Sequence, residues 1–137
     1  MKFYFKPISA FFAIFDISAP IQYLLWRLHM ETNVIGNYLI INFYGDIDSF
    51  AVSQYKDVLE KTINEEKFSK VAMDFTKVNF IDSSGIGLIL SRYQQLKEKK
   101  IKITAYGINK TINRLFKVSG LWKIIENGDQ KEKVVSK

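Results

Sequence analysis

The spacing of apolar positions changes several times along the chain, and each change marks an element. Tyr38 to Tyr44 reads Tyr-Leu-Ile-Ile-Asn-Phe-Tyr, a β-branched and aromatic run bounded by Gly36-Asn37 and Gly45, which predicts a strand with a turn at each end. A shorter partner strand is expected before it, around Thr32 to Ile35. Ala51, Tyr55, Val58, Leu59 and Ile63 then share one face of a helix that Asp48 or Ser49 can cap and that frays near Asn64. Lys70 to Phe75 predicts a second buried strand, and Val78 to Ile81 runs on in extended form toward Asp82. Ile86, Ile89, Leu90, Tyr93 and Leu96 predict a second helix from Ser84 to Lys99, and Ile101 to Tyr106 a third strand ending at Gly107. A third helix carries Ile112, Leu115 and Phe116, and Gly120 with Leu121 behind it has the form of a glycine C-cap with its hydrophobic contact. Trp122 to Glu126 predicts a last short strand before a polar tail.

Strands alternating with helices produce a parallel or mixed sheet with helices packed on it, so the class is α/β. No internal repeat and no Gly/Ser linker divides the pattern, which leaves function to the loop ends.

Composition narrows the chemistry. A chain of 137 residues, 47% hydrophobic and 25% charged, supports one folded core. It has no cysteine, so disulfides, thiolate metal sites and cysteine nucleophiles are excluded, and its one histidine, His29, would have to anchor any hydrolytic triad or multi-histidine metal site. The net charge of +6 is carried toward the back of the chain, where Lys97, Lys99, Lys100, Lys102, Lys110, Arg114, Lys117 and Lys123 face only Glu98 and Glu126. These lysines alternate with apolar residues as a solvated face does, without the exposed aromatics or recognition helix of a nucleic-acid binder.

The first 29 residues differ from the rest: they are aromatic-rich, hold both prolines and carry Asp16 as their one acid, so a composition boundary falls near Met30. Lys2 and Lys6 ahead of the apolar stretch Ile8 to Phe15 imitate a signal peptide, but Asp16 ends the stretch and Pro20 follows Ser18-Ala19. The same breaks leave it short of the about 20 apolar residues that span a bilayer. Ile21, Leu24, Leu25 and Leu28 recur at helical spacing, which fits a short amphipathic segment. The expected organisation is an N-terminal extension over 1–29, either a start-site artefact with Met30 as the true start or an amphipathic segment, then a domain over 30–127 and a polar tail over 128–137.

One segment stands out chemically. Asn79-Phe80-Ile81-Asp82-Ser83-Ser84-Gly85-Ile86-Gly87 places two hydroxyls, a carboxylate and two glycines where an extended segment becomes a helix. Helix N-termini present unpaired N–H groups that hold oxyanions and favour a phosphoryl group on a neighbouring serine. Taken alone, simple capping by Asp82 or a serine explains the residues as well. A nucleotide cradle lacks its third glycine and its lysine, and a hydrolase elbow lacks the glycine two residues before its serine. Catalysis therefore has no visible machinery.

Phe80 to Leu90, with Gly45-Asp46-Ile47-Asp48 upstream and Ile112-Asn113-Arg114-Leu115-Phe116-Lys117-Val118-Ser119-Gly120-Leu121 downstream, resembles the anti-sigma factor antagonist family, whose fold is the STAS domain. The resemblance covers Glu31 to Asn127, with the three blocks in the family's order and approximate spacing. It implies a small mixed sheet of four or five strands with helices packed on one face. It also implies that Ser83 is phosphorylated by a partner that is both serine kinase and anti-sigma factor, and that a serine phosphatase reverses the modification. Ser84 would shape the loop or cap the helix, Asp82 would orient it, and Asp48 matches the family's acid beside the acceptor. The implied partner surface comprises Asp46, Asp48, Asp82, Ser83, Ser84 and Gly85, with no catalytic residue, metal or cofactor and no direct contact with nucleic acid. A phosphate adds about −1.5 to −2 charge near two carboxylates, so the unmodified form is expected to bind the kinase and the phosphorylated form to release it. The resemblance implies a bacterial, cytoplasmic regulator of transcription that works by partner switching. The alternative is a membrane- or transporter-associated STAS module that uses residues 1–29 as its contact. The short lysine-rich stretch after Asn127 departs from the C-terminal helix usual in the family, and the basic charge departs from its commonly acidic members.

Overall fold

The computed structural model of the chain describes residues 2–3 and 29–130. In chain order the elements are β1 (Lys2–Phe3), β2 (Met30–Ile35), β3 (Tyr38–Ile47), α1 (Ser49–Glu65), β4 (Lys70–Ile81), α2 (Ser83–Glu98), β5 (Lys102–Tyr106), α3 (Lys110–Ser119), a 3-10 turn (Leu121–Lys123) and β6 (Glu126–Asn127). The signal-like and amphipathic readings of the extension fall on 4–28, outside the described residues. Among the described residues no helix is long and apolar enough to cross a membrane.

The strands lie in sequence order, β1-β2-β3-β4-β5-β6. β2 and β3 form an antiparallel hairpin closed by Gly36-Asn37, and Gly36 takes φ 61° at the position where a tight hairpin turn favours glycine. β3, β4, β5 and β6 are parallel, and each crossover steps to the next strand in the same direction. Crossovers of one hand that always step the same way lay their helices on one face of the sheet. The alternation of β3 and β4 agrees: Leu39, Ile41 and Phe43 are buried with Val71, Met73 and Phe75, while their neighbours are not. Ala51, Tyr55, Leu59 and Ile63 of α1, Leu88, Ile89 and Leu96 of α2, and Ile112 and Phe116 of α3 complete the same core. A line of rings crosses it, with Phe43 stacked on Phe75 at 5.2 Å, Phe75 edge-on to Phe116 at 5.6 Å, and Phe116 against Trp122 at 4.9 Å. The mixed sheet with helices on one face is thus the fold the resemblance implies, with the two-residue β1 added beside β2 through Lys2↔Val34 and Phe3↔Asn33.

Three local expectations change. Gly45 does not end β3; it takes φ 73°, and the register against β4 slips between Asn42 and Tyr44 and again between Gly45 and Ile47. A positive-φ glycine in a strand marks a bulge as well as it marks a turn, and here it carries β3 on to Ile47. Trp122 does not open the last strand. Its indole N–H donates to Asn113 Oδ1 at 2.8 Å, and its ring rests on Phe116, so Leu121–Lys123 curls back against α3 and extension starts at Glu126. His29, assigned to the extension by composition, sits on the sheet: its carbonyl accepts from Tyr44 N at 2.8 Å, and its ring lies edge-on to Phe50 at 6.0 Å.

The left-handed Gly120 cap stands as expected, with φ 81° and a fully buried Leu121 behind it. Beyond β6, residues Gly128 to Gln130 are helical. Asn127 Oδ1 accepts from the amides of Asp129 and Gln130, and the Asp129 carboxylate accepts from the amides of Gly107 and Ile108. The chain is therefore tied to the domain at the point where the polar tail was expected to begin.

Candidate functional site

β3 and β4 end side by side, with Ile47 paired to Ile81, and each hands its chain directly to a helix. Asp48 and Asp82 occupy these two junctions in extended conformation, with φ −108° and −100°. Each caps the helix that follows: Asp48 Oδ1 accepts from Ala51 N at 2.9 Å, and Asp82 Oδ1 accepts from Ser84 N at 2.8 Å and Gly85 N at 3.2 Å. The two caps are tied together because Asp82 N donates to Ile47 O at 3.2 Å. Two helix N-termini and two carboxylates thus share the C-terminal edge of adjacent parallel strands, where α/β folds place their sites.

Glycine at position 85 allows this closeness. A Cβ there would stand 2.6 Å from Ile81 Cγ2, and 2.8 Å from both Ile47 Cγ2 and Ile47 O. α2 can begin against the ends of β3 and β4 because that residue has no side chain. A third helix start is fastened nearby, since Asn109 Oδ1 caps α3 through Ile112 N at 2.8 Å while its Nδ2 donates to Val78 O at 3.2 Å.

Ser83 is the first residue of α2 and is exposed, and its hydroxyl makes no hydrogen bond to a described residue. Ser84, half-buried, contributes its backbone N–H to the cap. The predicted site residues Asp48, Asp82, Ser83, Ser84 and Gly85 are therefore brought together. Asp46 is exposed on β3, two residues ahead of the α1 cap, and takes no part in either cap.

Three residues at the site carried no functional reading in the sequence. Tyr55 reads as a core position on α1, and its ring is fully buried against Phe43, but its hydroxyl is buried without a hydrogen-bond partner among the described residues. Burial pushes that hydroxyl's pKa upward, and the carboxylates of Asp48 and then Asp82 push it further. Phe50 and Phe80 remain 53% and 46% exposed, one in the first turn of α1 and the other beside the end of β4. Phe50 lies off the Ala51–Tyr55–Leu59 stripe, which is the signal that would have marked it as outward. The edge thus presents a free hydroxyl among anionic caps with apolar rings beside it, a surface suited to docking and to accepting a phosphoryl group. Asp82 spends one oxygen on two N–H donors, so the first-turn amides of α2 are largely committed before any phosphate arrives.

Comparison with known proteins agrees with this fold. The profile of the STAS domain matches residues 29–134. The anti-sigma F factor antagonist of Paenibacillus polymyxa is 26% identical over 99 residues, 72% of this chain and 85% of that protein. Among solved structures, a putative anti-sigma factor antagonist from Thermotoga maritima superposes with a TM-score of 0.66 at 15% identity, covering 77% of this chain and 93% of that one. The Bacillus cell fate determinant SpoIIAA in its phosphorylated form gives a TM-score of 0.57 at 22% identity, covering 78% and 97%.

Proposed function

This chain belongs to the STAS domain family, and we propose that within it the protein acts as an anti-sigma factor antagonist switched by phosphorylation of Ser83. The observation that carries the reading is the exposed, unbonded Ser83 hydroxyl at the first turn of α2, beside the Asp82 and Asp48 caps. In the unphosphorylated state the surface offers a neutral hydroxyl with Phe50 and Phe80 nearby, which an anti-sigma factor serine kinase can cover, freeing the sigma factor. In the transfer step Ser83 Oγ bonds to the γ-phosphorus of the kinase-bound ATP, ADP leaves, and the hydroxyl proton passes to a base of the kinase.

The product carries about −1.5 to −2 additional charge in an interface built for a small neutral group. The helix dipole favours that charge, but the Asp82 and Asp48 carboxylates oppose it, and burying it again under the kinase requires donors that Asp82 already occupies. Release follows, and a serine phosphatase acting on phospho-Ser83 restores the binding form. The protein performs no catalysis of its own in this scheme. A membrane- or transporter-associated module would use the same fold, but it has no use for an exposed acceptor, so the Asp82-Ser83 pair supports the switch.

The test is phosphosite mapping after incubation with the cognate kinase and ATP. Incorporation at Ser83, abolished in Ser83→Ala, is expected. Incorporation at Ser84 instead, or undiminished incorporation in Ser83→Ala, would overturn the assignment.

A further inference from the structure

At the far end of α2 from Ser83, a groove of about 1120 Å³ opens between α2, the start of β5, α3 and the 3-10 turn. Ser83 and Lys97 stand about 21 Å apart along the helix axis at 1.5 Å per residue, so the groove is separate from the switch surface. Lys97, Lys100, Lys102, Lys117 and Lys123 line it, all exposed, and none forms an ion pair with a described residue. The one carboxylate among the lining residues is Glu126. Half-buried Tyr93, Ile101, Trp122 and Ile124 supply an apolar floor.

A solvated face accounts for scattered lysines, and the C-terminal dipoles of α2 and α3 account for Lys97 and Lys117. Neither accounts for Lys102 and Lys123 converging on the same concavity. Lys100 adds to the case: it takes φ 60°, the left-handed conformation that glycine adopts without strain, and it is the one non-glycine among the described residues to do so. A charged side chain is held at the rim where a bare turn would be easier to form.

We propose that this groove docks an acidic, amphipathic segment of a partner protein, with carboxylates meeting the lysines and an apolar side chain seated on the floor. Charge complementarity selects the occupant. The chain's own residues beyond Gln130 read Lys-Glu-Lys-Val-Val-Ser-Lys, three lysines against one glutamate, and that net positive charge does not complement a lysine rim. Nucleic acid would need free aromatic faces for stacking, whereas the Trp122 indole is fixed by Asn113 and packed on Phe116. A bilayer surface is flat, and these lysines line a concavity.

Fluorescence anisotropy of the full-length chain with a labelled peptide of alternating glutamate and leucine pairs tests this at low ionic strength. Salt-sensitive binding is expected, weakened about tenfold or more when the peptide's glutamates become glutamines or its leucines become serines. The same loss is expected in a folded Lys97→Glu/Lys117→Glu/Lys123→Glu variant, and none in Ser83→Ala. Absence of peptide binding, equal binding by the charge-reversed protein, or tighter binding to phosphatidylserine vesicles or polyuridylate would overturn the proposal.

Discussion

At the scale of single residues, Asp82 and Ser83 divide one helix start between structure and exchange. Asp82 holds the first-turn amides of α2, so Asp82→Ala should cost about 0.5 to 2 kcal/mol in a melting experiment and blur the position of the neighbouring hydroxyl. Ser83→Ala should melt as wild type, since its hydroxyl bonds to no described residue. Tyr55 gives a sharper test. Its hydroxyl is buried without a partner among the described residues, so Tyr55→Phe should leave stability unchanged or raise it by about 1 kcal/mol. The folded-state pKa of Tyr55 is raised, by burial first. The folded chain therefore keeps a proton that the unfolded chain releases above a pH of about 10, and stability present below that pH is lost above it at up to about 1.4 kcal/mol per pH unit. Alkaline denaturation followed by circular dichroism should show a shallower decline for Tyr55→Phe, with Tyr44, also raised through burial and Glu31, still contributing.

At the scale of elements, the junctions carry the design. The sequence made Asp48 and Asp82 legible as caps because aspartate ahead of a helical stripe has few other local uses. It made Gly120 legible because glycine followed by a buried leucine is the common way to stop a helix. Gly45 is ambiguous in the sequence because a positive-φ glycine ends a strand and bulges one with the same local signature, and only the pairing with β4 distinguishes them. Trp122 is ambiguous for a similar reason: its contacts with Asn113 and Phe116 arise from tertiary packing that no local period displays. The orphan Tyr55 hydroxyl was invisible because periodicity reports which face is buried and says nothing of what the buried atom meets. Gly85 binds two strands and a helix into one site. Gly85→Ala should gain about 1 kcal/mol in helix propensity. It should lose more to overpacking against Ile47 and Ile81, typically about 1 to 3 kcal/mol, and phosphorylation at Ser83 should slow as α2 shifts. Paired melting and kinase assays check both effects, and a variant as stable and as readily modified as wild type would show that α2 is not seated by this contact.

At the scale of the whole molecule, the proposed switch residues lie at one end of α2 and the proposed docking groove at the other, which leaves room for two partners at once. Among the described residues every core residue falls between Met30 and Ile125, and the register of β2 to β6 is set by pairings within 30–127. A chain beginning at His29 should therefore fold, with a loss of about 1 kcal/mol or less from the freed β2 edge, which corresponds to a melting shift of roughly 4 to 8 °C or less. Failure of that chain to fold would place the aromatic extension in the core. The central claim is that one phosphate on Ser83 governs partner choice, and isothermal titration of the anti-sigma factor kinase into the chain before and after stoichiometric phosphorylation measures it directly. The account predicts binding by the unmodified chain and by Ser83→Ala, with affinity at least about tenfold weaker, or about 1.4 kcal/mol, once Ser83 carries phosphate. Equal affinity for the two forms would contradict it.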